Sequence, residues 1–242
     1  MASSGADVAA TQRLRHEIFV TRGGGAERPG GLERDRFDAT CRHVLVEDRE
    51  SGRLACCFRF LPIDDGAAIA RSYSAQFYDL SNLTAYRAPM VEFGRFCVRP
   101  GLGYPDVMRI AWAAMAHIAQ RQRSGLLFGC ASFSRAHGAS FSNLFAMPGR
   151  EFLAPARWRP GVKAREILCF GQIGAHPQPD RRAWLGLPPL LRAYLGMGGW
   201  LSDHAVVDRE LNTLHVFVGL EVHRVPAGRA RNLRRLAGLS GL

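Results

Sequence analysis

Lysine is almost missing from this chain: of 32 basic residues in 242, Lys163 is the only lysine and the rest are arginine. A preference for arginine codons explains that bias without any function. The alternative is a demand for an anionic partner, since the net charge is +11 and the isoelectric point about 10.2. Nucleic acid, an acidic protein and an anionic membrane all answer to that charge. No apolar run reaches the ~18 to 20 residues that cross a bilayer. The N-terminus, residues 1–19, lacks the apolar centre of a signal peptide, so a cytoplasmic protein is expected, peripheral at the inner face of the cytoplasmic membrane if it touches one. None of the six cysteines (41, 56, 57, 97, 130 and 169) forms a C-x-x-C pair. That argues against structural zinc, and no metal site is expected. Adjacent Cys56 and Cys57 are poorly placed to bond to each other, which leaves reduced thiols. Gly-Lys-Ser/Thr is absent, so there is no Walker loop, and no internal repeat is visible.

What is present reads as a mixed α/β chain. Residues 1–11 are small and polar and are expected to be disordered. Leu14 and Ile18 suggest a short helix over 13–20. Strands are expected at 43–48 and 54–61, joined by a turn at 50–53, and again at 91–98, 126–133, 166–171 and 214–222. Val107, Ile110, Ala111, Ala114, Met115 and Ile118 carry a helical period over 106–122, with Asp106 as N-cap or first-turn acid. Further helices are expected over 134–148 and 190–195. Arg229, Arg231, Arg234 and Arg235 alternate with Leu233, Leu236 and Leu239, a pattern suited to an amphipathic helix on a membrane surface or to a solvated tail. The helix at 106–122 is too apolar to read nucleic acid, so no nucleic-acid partner is expected. A basic binding module stays as the rival of a different class.

The strand-to-helix connection at 99–106 holds Gly101 and Gly103. Backbone N–H groups converging at a helix N-terminus can hold a phosphate, although Gly-x-Gly turns also serve as plain connections.

Several segments, in order along the chain, resemble one family. They are Asp35-Arg36-Phe37-Asp38 with Cys41-Arg42-His43, Phe58-Arg59-Phe60-Leu61-Pro62, and Tyr73-Ser74-Ala75-Gln76-Phe77-Tyr78-Asp79-Leu80. Glu92-Phe93-Gly94-Arg95-Phe96-Cys97-Val98, Leu127-Phe128-Gly129-Cys130-Ala131-Ser132-Phe133, Leu187-Pro188-Pro189-Leu190 and Asp208-Arg209-Glu210-Leu211-Asn212-Thr213 complete the set. The chain thereby resembles the ornithine lipid biosynthesis N-acyltransferases over about residues 13 to 225. That family is GNAT-like and related to acyl-homoserine lactone synthases. The resemblance implies an α/β sandwich, a mixed central sheet flanked by helices. Its expected parts are a core over 12–175, a C-terminal extension over 176–225 and a basic tail over 226–242. The implied reaction moves a 3-hydroxy fatty acyl group from acyl carrier protein to the α-amine of L-ornithine, giving lyso-ornithine lipid. No cofactor is implied beyond the phosphopantetheine thioester of the co-substrate, and the acidic carrier supplies a reason for the arginines. Acyl-homoserine lactone synthesis, or acylation of glycine, glutamine or lysine, are the nearest alternatives.

Amide formation from a thioester needs a neutral amine, an acceptor for its proton and donors for the oxyanion. Glu92 is the candidate base, because the related lactone synthases carry a glutamate at the matching place; pairing with Arg95 for structure is the other reading. On a regular strand Arg95 would face away from Glu92, unless a bulge near Gly94 turns it. Asp35, Asp38 and Arg59 also match positions of the lactone synthase pattern. The two carboxylates suit the cationic δ-amine of ornithine, or else a salt-bridge network. His43 is a candidate relay, with Asp35, Asp38, Arg59 and Arg95, in the substrate site. Val98, Gly101 and Gly103 are candidates for the phosphopantetheine, and Phe77, Tyr78 and Phe128 for the acyl pocket. Cys130 reads as core strand rather than nucleophile.

Overall fold

The computed structural model describes residues 1–134, 152–172, 184–185 and 187–238. The helix expected over 134–148 lies outside the described residues. Order begins at the N-terminus, where the small polar residues predict disorder: α1 spans Gly5–Arg15 and continues as a π-helical turn, His16–Thr21. Its start is fixed by a capping box in which Ser4 accepts from the Asp7 N–H and Asp7 reaches back to the Ser4 N–H. Leu14 of α1 packs against Cys57 and Cys97.

Nine strands follow among the described residues. They are β1 (Arg42–Glu47), β2 (Leu54–Ile63), β3 (Tyr78–Asp79), β4 (Met90–Val98), β5 (Leu126–Ser134), β6 (Gly161–Val162), β7 (Ile167–Cys169), β8 (Trp200–Asp208) and β9 (Thr213–Glu221). Helix α2 (Tyr104–Arg121) joins β4 to β5, α3 (Pro189–Gly196) precedes β8, and α4 (Ala227–Leu236) ends the described chain. The main sheet runs β1-β2-β4-β5-β9-β8-β7, and β3 pairs with β6 separately. Every neighbouring pair in the main sheet is antiparallel except β4 with β5. That parallel pair is the one bridged by α2, as a crossover connection requires. The strands β8 and β9 lie inside the sheet. The part of the expected C-terminal extension that forms β8 and β9 therefore shares one sheet with β1, β2, β4 and β5, and the boundary expected at 175 lies outside the described residues.

Alternation sorts the sheet into two faces. Phe58, Phe60, Val91, Phe93, Leu127, Val216 and Val218 pack on one side with Ala111, Met115 and Ile118 of α2 and with Leu191 and Tyr194 of α3. On the other side Leu61, Ile63, Met90, Phe128 and Phe217 pack under the irregular segment 66–86.

Two departures from regularity shape the centre. Cys57 pairs with Cys97 and Arg59 with Gly94, so one β2 residue faces two on β4. This β-bulge puts Arg95 at φ 53, in the left-handed region that costs a side-chain-bearing residue energy. Beyond Glu92↔Phe128 the pairing of β4 with β5 stops, and the strands part. At the first position past that last pair the backbones are still so close that a Cβ on Gly129 would lie 2.2 Å from the Phe93 carbonyl oxygen. Gly129→Ala is expected to destabilise the fold by about 1–3 kcal/mol, because backbone rather than a flexible side chain must yield. Urea denaturation would show this as a lower midpoint at unchanged slope.

Candidate active site

A cavity of about 420 Å³ occupies the gap between the parted strands. Its walls come from both faces of the sheet. Phe93, Met115, Leu191, Tyr194 and Val218 line it on the α2 side; Arg59, Tyr73, Glu92, Cys130, Asp208 and His215 line it on the other. One side is thus apolar and the other carries charge and hydrogen-bonding groups.

Glu92 is buried beneath the turn at 73–74. Its Oε1 accepts from the Ser74 N–H (2.8 Å) and the Ser74 hydroxyl (2.6 Å), and its Oε2 from the Tyr73 N–H (2.7 Å). A carboxylate offers about four lone-pair sites, so three are taken and one remains, on Oε2. Burial pushes the Glu92 carboxyl above the ordinary glutamate range, against the pull of those hydrogen bonds and of Arg59. Cys130 sits 3.4 Å from the Ser74 hydroxyl. Burial raises its thiol to about 12, which leaves it uncharged and unsuited to nucleophilic attack.

Three arginines and three carboxylates form a network behind this wall. Arg59 binds Asp35 in two-pronged fashion (2.6 and 2.7 Å) and also Asp38. Arg95 binds Glu33 at 3.1 Å and Asp35 at 2.9 Å, while Arg15 joins Glu33 to Asp38. Arg95 also lies over the Tyr73 ring, 4.7 Å from its centroid. Sharing Asp35 and Tyr73 with Arg59, it has been turned by the bulge onto the face that carries Glu92. Although burial works to raise them, the guanidinium groups hold the Asp35 and Asp38 carboxyls below the usual aspartate range.

Several expected site residues fall elsewhere. Asp35 and Asp38 serve the arginine network and do not line the cavity. The buried His43 faces the Asp38 carbonyl (Nε2 to O, 3.0 Å) and Thr11, away from the cavity. Of the expected acyl-pocket residues, Phe128 lines the cavity; Phe77 and Tyr78 do not and instead flank His215. Val98 lines it, whereas Gly101 and Gly103 stand outside it, at φ 82 and 38, and end β4 and cap α2. Asp106 lies within the first turn of that helix rather than at its cap.

His215 and Asp208 join the site from strands distant in sequence. The Tyr78 hydroxyl donates to the His215 carbonyl (2.8 Å), which leaves its oxygen to accept from Nδ1 (3.1 Å). That arrangement puts the proton on Nδ1; the buried Nε2 has no partner among the described residues. Burial, then Arg95 and His204, push this imidazole down to about 3, so it is neutral. Among the described residues no cluster of His, Cys, Asp and Glu could hold a metal ion, and no helix is long and apolar enough to cross a membrane.

A family model described as an acetyltransferase (GNAT) domain matches residues 14–113. The chain is 33% identical over 228 residues to a Rhodobacter capsulatus protein named L-ornithine N(alpha)-acyltransferase, covering 90% of this chain and 87% of that relative. It is 26% identical over 236 residues to a Brucella abortus protein of the same name, covering 93% and 84%. Among solved structures, the CoA-dependent acyl-homoserine lactone synthase MesI matches with a TM-score of 0.50 at 16% identity, over 96% of this chain and 87% of that one. This last likeness is one of fold.

Acid should weaken the arginine network. Asp35 and Asp38 titrate below their unfolded values, so their contribution is complete above about pH 4 and is lost as pH falls toward the folded values. Asp38→Asn is expected to cost about 3 kcal/mol near pH 7 and to flatten the decline of stability below pH 4, read from urea midpoints across pH.

Proposed function

The chain belongs to the L-ornithine N(alpha)-acyltransferase family, and from the site it carries we propose that it transfers a 3-hydroxy fatty acyl group from the phosphopantetheine thioester of acyl carrier protein to the α-amine of L-ornithine. The product is lyso-ornithine lipid. One observation carries this reading: a single cavity, apolar toward α2 and polar on the opposite face, opens where β4 leaves β5. The acyl chain fits the apolar side, lined by Phe93, Met115, Leu191 and Tyr194, and the amino acid fits the polar side. The thioester then lies in the gap, where the backbone groups of the two strands face the cavity rather than each other. Glu92 takes the proton of the attacking amine on its open lone-pair site as the C–N bond forms, and the C–S bond of the thioester then breaks to release the phosphopantetheine thiol of the carrier, which leaves with a proton. No covalent enzyme intermediate is needed, in keeping with the uncharged Cys130.

The arginine-rich surface suits an acidic carrier protein and an anionic membrane. In α4 the residues Arg229, Arg231, Arg234 and Arg235 are exposed, with no acid among them, and Leu236 is 43% exposed. The helix thus suits the inner face of the cytoplasmic membrane, where the product is delivered.

Loaded 3-hydroxyacyl carrier protein, incubated with single amino acids and analysed by mass, should yield acyl-ornithine. Acylation of a different amino acid would keep the chemistry and change the acceptor. Glu92→Gln should reduce kcat about 100-fold or more while carrier binding persists; undiminished turnover would remove Glu92 as the base. Replacing Arg231, Arg234 and Arg235 by Gln should lower co-sedimentation with anionic vesicles by roughly tenfold or more, at about 1 kcal/mol per arginine. Neutral vesicles should show no such change.

A further inference from the structure

Asp208 is the last residue of β8, and Thr213 of β9 is its cross-strand partner. Through the pairings Val206↔His215 and Ser132↔His215, alternation places Asp208, Thr213, His215 and Ser132 on the same face of the sheet. All of them except Val206 line the cavity. Asp208 is 8% exposed, and its Oδ1 accepts from the Leu211 N–H at 2.9 Å.

Among the described residues, the other carboxylates around the chamber are already committed. Glu33, Asp35 and Asp38 are matched by Arg15, Arg59 and Arg95. Glu92 has spent three of its four sites on the turn at 73–74. Asp208, by contrast, has no ion-pair partner among the described residues. The neighbouring Arg209 is turned outward and held by both oxygens of Glu166 (2.8 and 2.7 Å). A nearly buried carboxylate without a cation is costly, unless something that visits the site supplies the charge. The negative charge of Asp208 is among those that push up the Tyr73 hydroxyl and the Cys130 thiol. It therefore acts on the same chamber as Glu92, whose turn Tyr73 begins and beside which Cys130 lies.

We propose that Asp208 is the counter-charge for the side-chain ammonium of the amino acid acceptor, and so the residue that selects a diamino acid. This rests on the acyltransferase reading above. The α-amine must be uncharged to attack, but the δ-amine is not consumed and stays a cation. A site that recognises ornithine by more than its backbone groups needs one carboxylate for the proton of the first amine and another for the charge on the second, three methylenes from the α-carbon. Glu92 and Asp208 divide those roles between β4 and β8.

Asp208→Asn retains Oδ1 as the acceptor for the Leu211 N–H, so it removes charge and leaves the turn. The test compares wild type and Asp208→Asn with ornithine and with 2-aminopentanoate, which has the same carbon chain and no δ-amine, using loaded carrier protein. Wild type should prefer ornithine, and the variant should raise KM for ornithine about 10- to 100-fold, the worth of one charged hydrogen bond. The variant should leave KM for 2-aminopentanoate within about twofold, so that the preference collapses. Asp208→Glu, with a carboxylate one methylene further out, should move the preference toward 2,4-diaminobutanoate. Wild type that acylates ornithine and 2-aminopentanoate equally well, or a folded Asp208→Asn with an unaltered KM for ornithine, would overturn the assignment of Asp208 alone. Wild type that acylates no ornithine would overturn the assignment together with the function it rests on.

Discussion

Three arginines and three carboxylates, balanced in charge and largely out of water, tie the active-site wall together. Arg15 comes from α1, Glu33, Asp35 and Asp38 from the segment before β1, Arg59 from β2 and Arg95 from β4. No member can be left alone, because a buried charge without its partner costs several kcal/mol. Meeting that condition ties α1 and the segment 33–38 to β2 and β4. It also accounts for the one strained backbone in β4: Arg95 reaches Glu33 and Asp35 only because the bulge carries it to the Glu92 face. The same bulge lies in the stretch of β4, beyond Glu92, that no longer follows β5, so the ion network and the open cavity are parts of one arrangement.

Much of this architecture is legible in the sequence. The apolar runs at 43–48, 54–61, 91–98 and 126–133 and the 3.6-residue period in 106–122 specify the first half of the sheet and α2, because the central strands are covered on both faces and the helix on one. β8 escapes such a reading for a physical reason. Ser202, Asp203 and His204 interrupt its apolar residues, and they do so where the register of β8 with β9 shifts, so no alternation survives to be read. In α1 the small polar residues suggest a free tail, while Ser4 and Asp7, the available signal, stand three apart as a capping box does.

At the site, Glu92, Arg59 and Arg95 are legible through family resemblance, and the bulge at Gly94 is the condition that brings two of them together. Asp35, Asp38 and His43 belong to the right neighbourhood but do not line the cavity. These apparent ligands are partners of arginines and of backbone. Phe77 and Tyr78 suit an acyl chain by being aromatic, yet they pack around His215 on the polar side. Asp208 and His215 have no local signature as site residues. They reach the cavity only because β9 lies against β5, a pairing that sequence periodicity does not specify.

That pairing runs the full length of both strands, from Leu126 with Glu221 to Ser134 with Thr213. It separates the site by time as well as by position. Glu92 stands on β4 and the arginines behind it, Arg59 and Arg95, on β2 and β4, whose ladder closes over residues 64–89. Asp208 and His215 stand on β8 and β9, and β9 returns to β5 across residues 135–212, an ordering that slows folding more than it costs stability. On a ribosome the first half can assemble well before the second exists. A nascent chain would then hold an open apolar gap beside β4 with nothing to select an amine, until β9 closes against β5 and the cavity acquires its second wall.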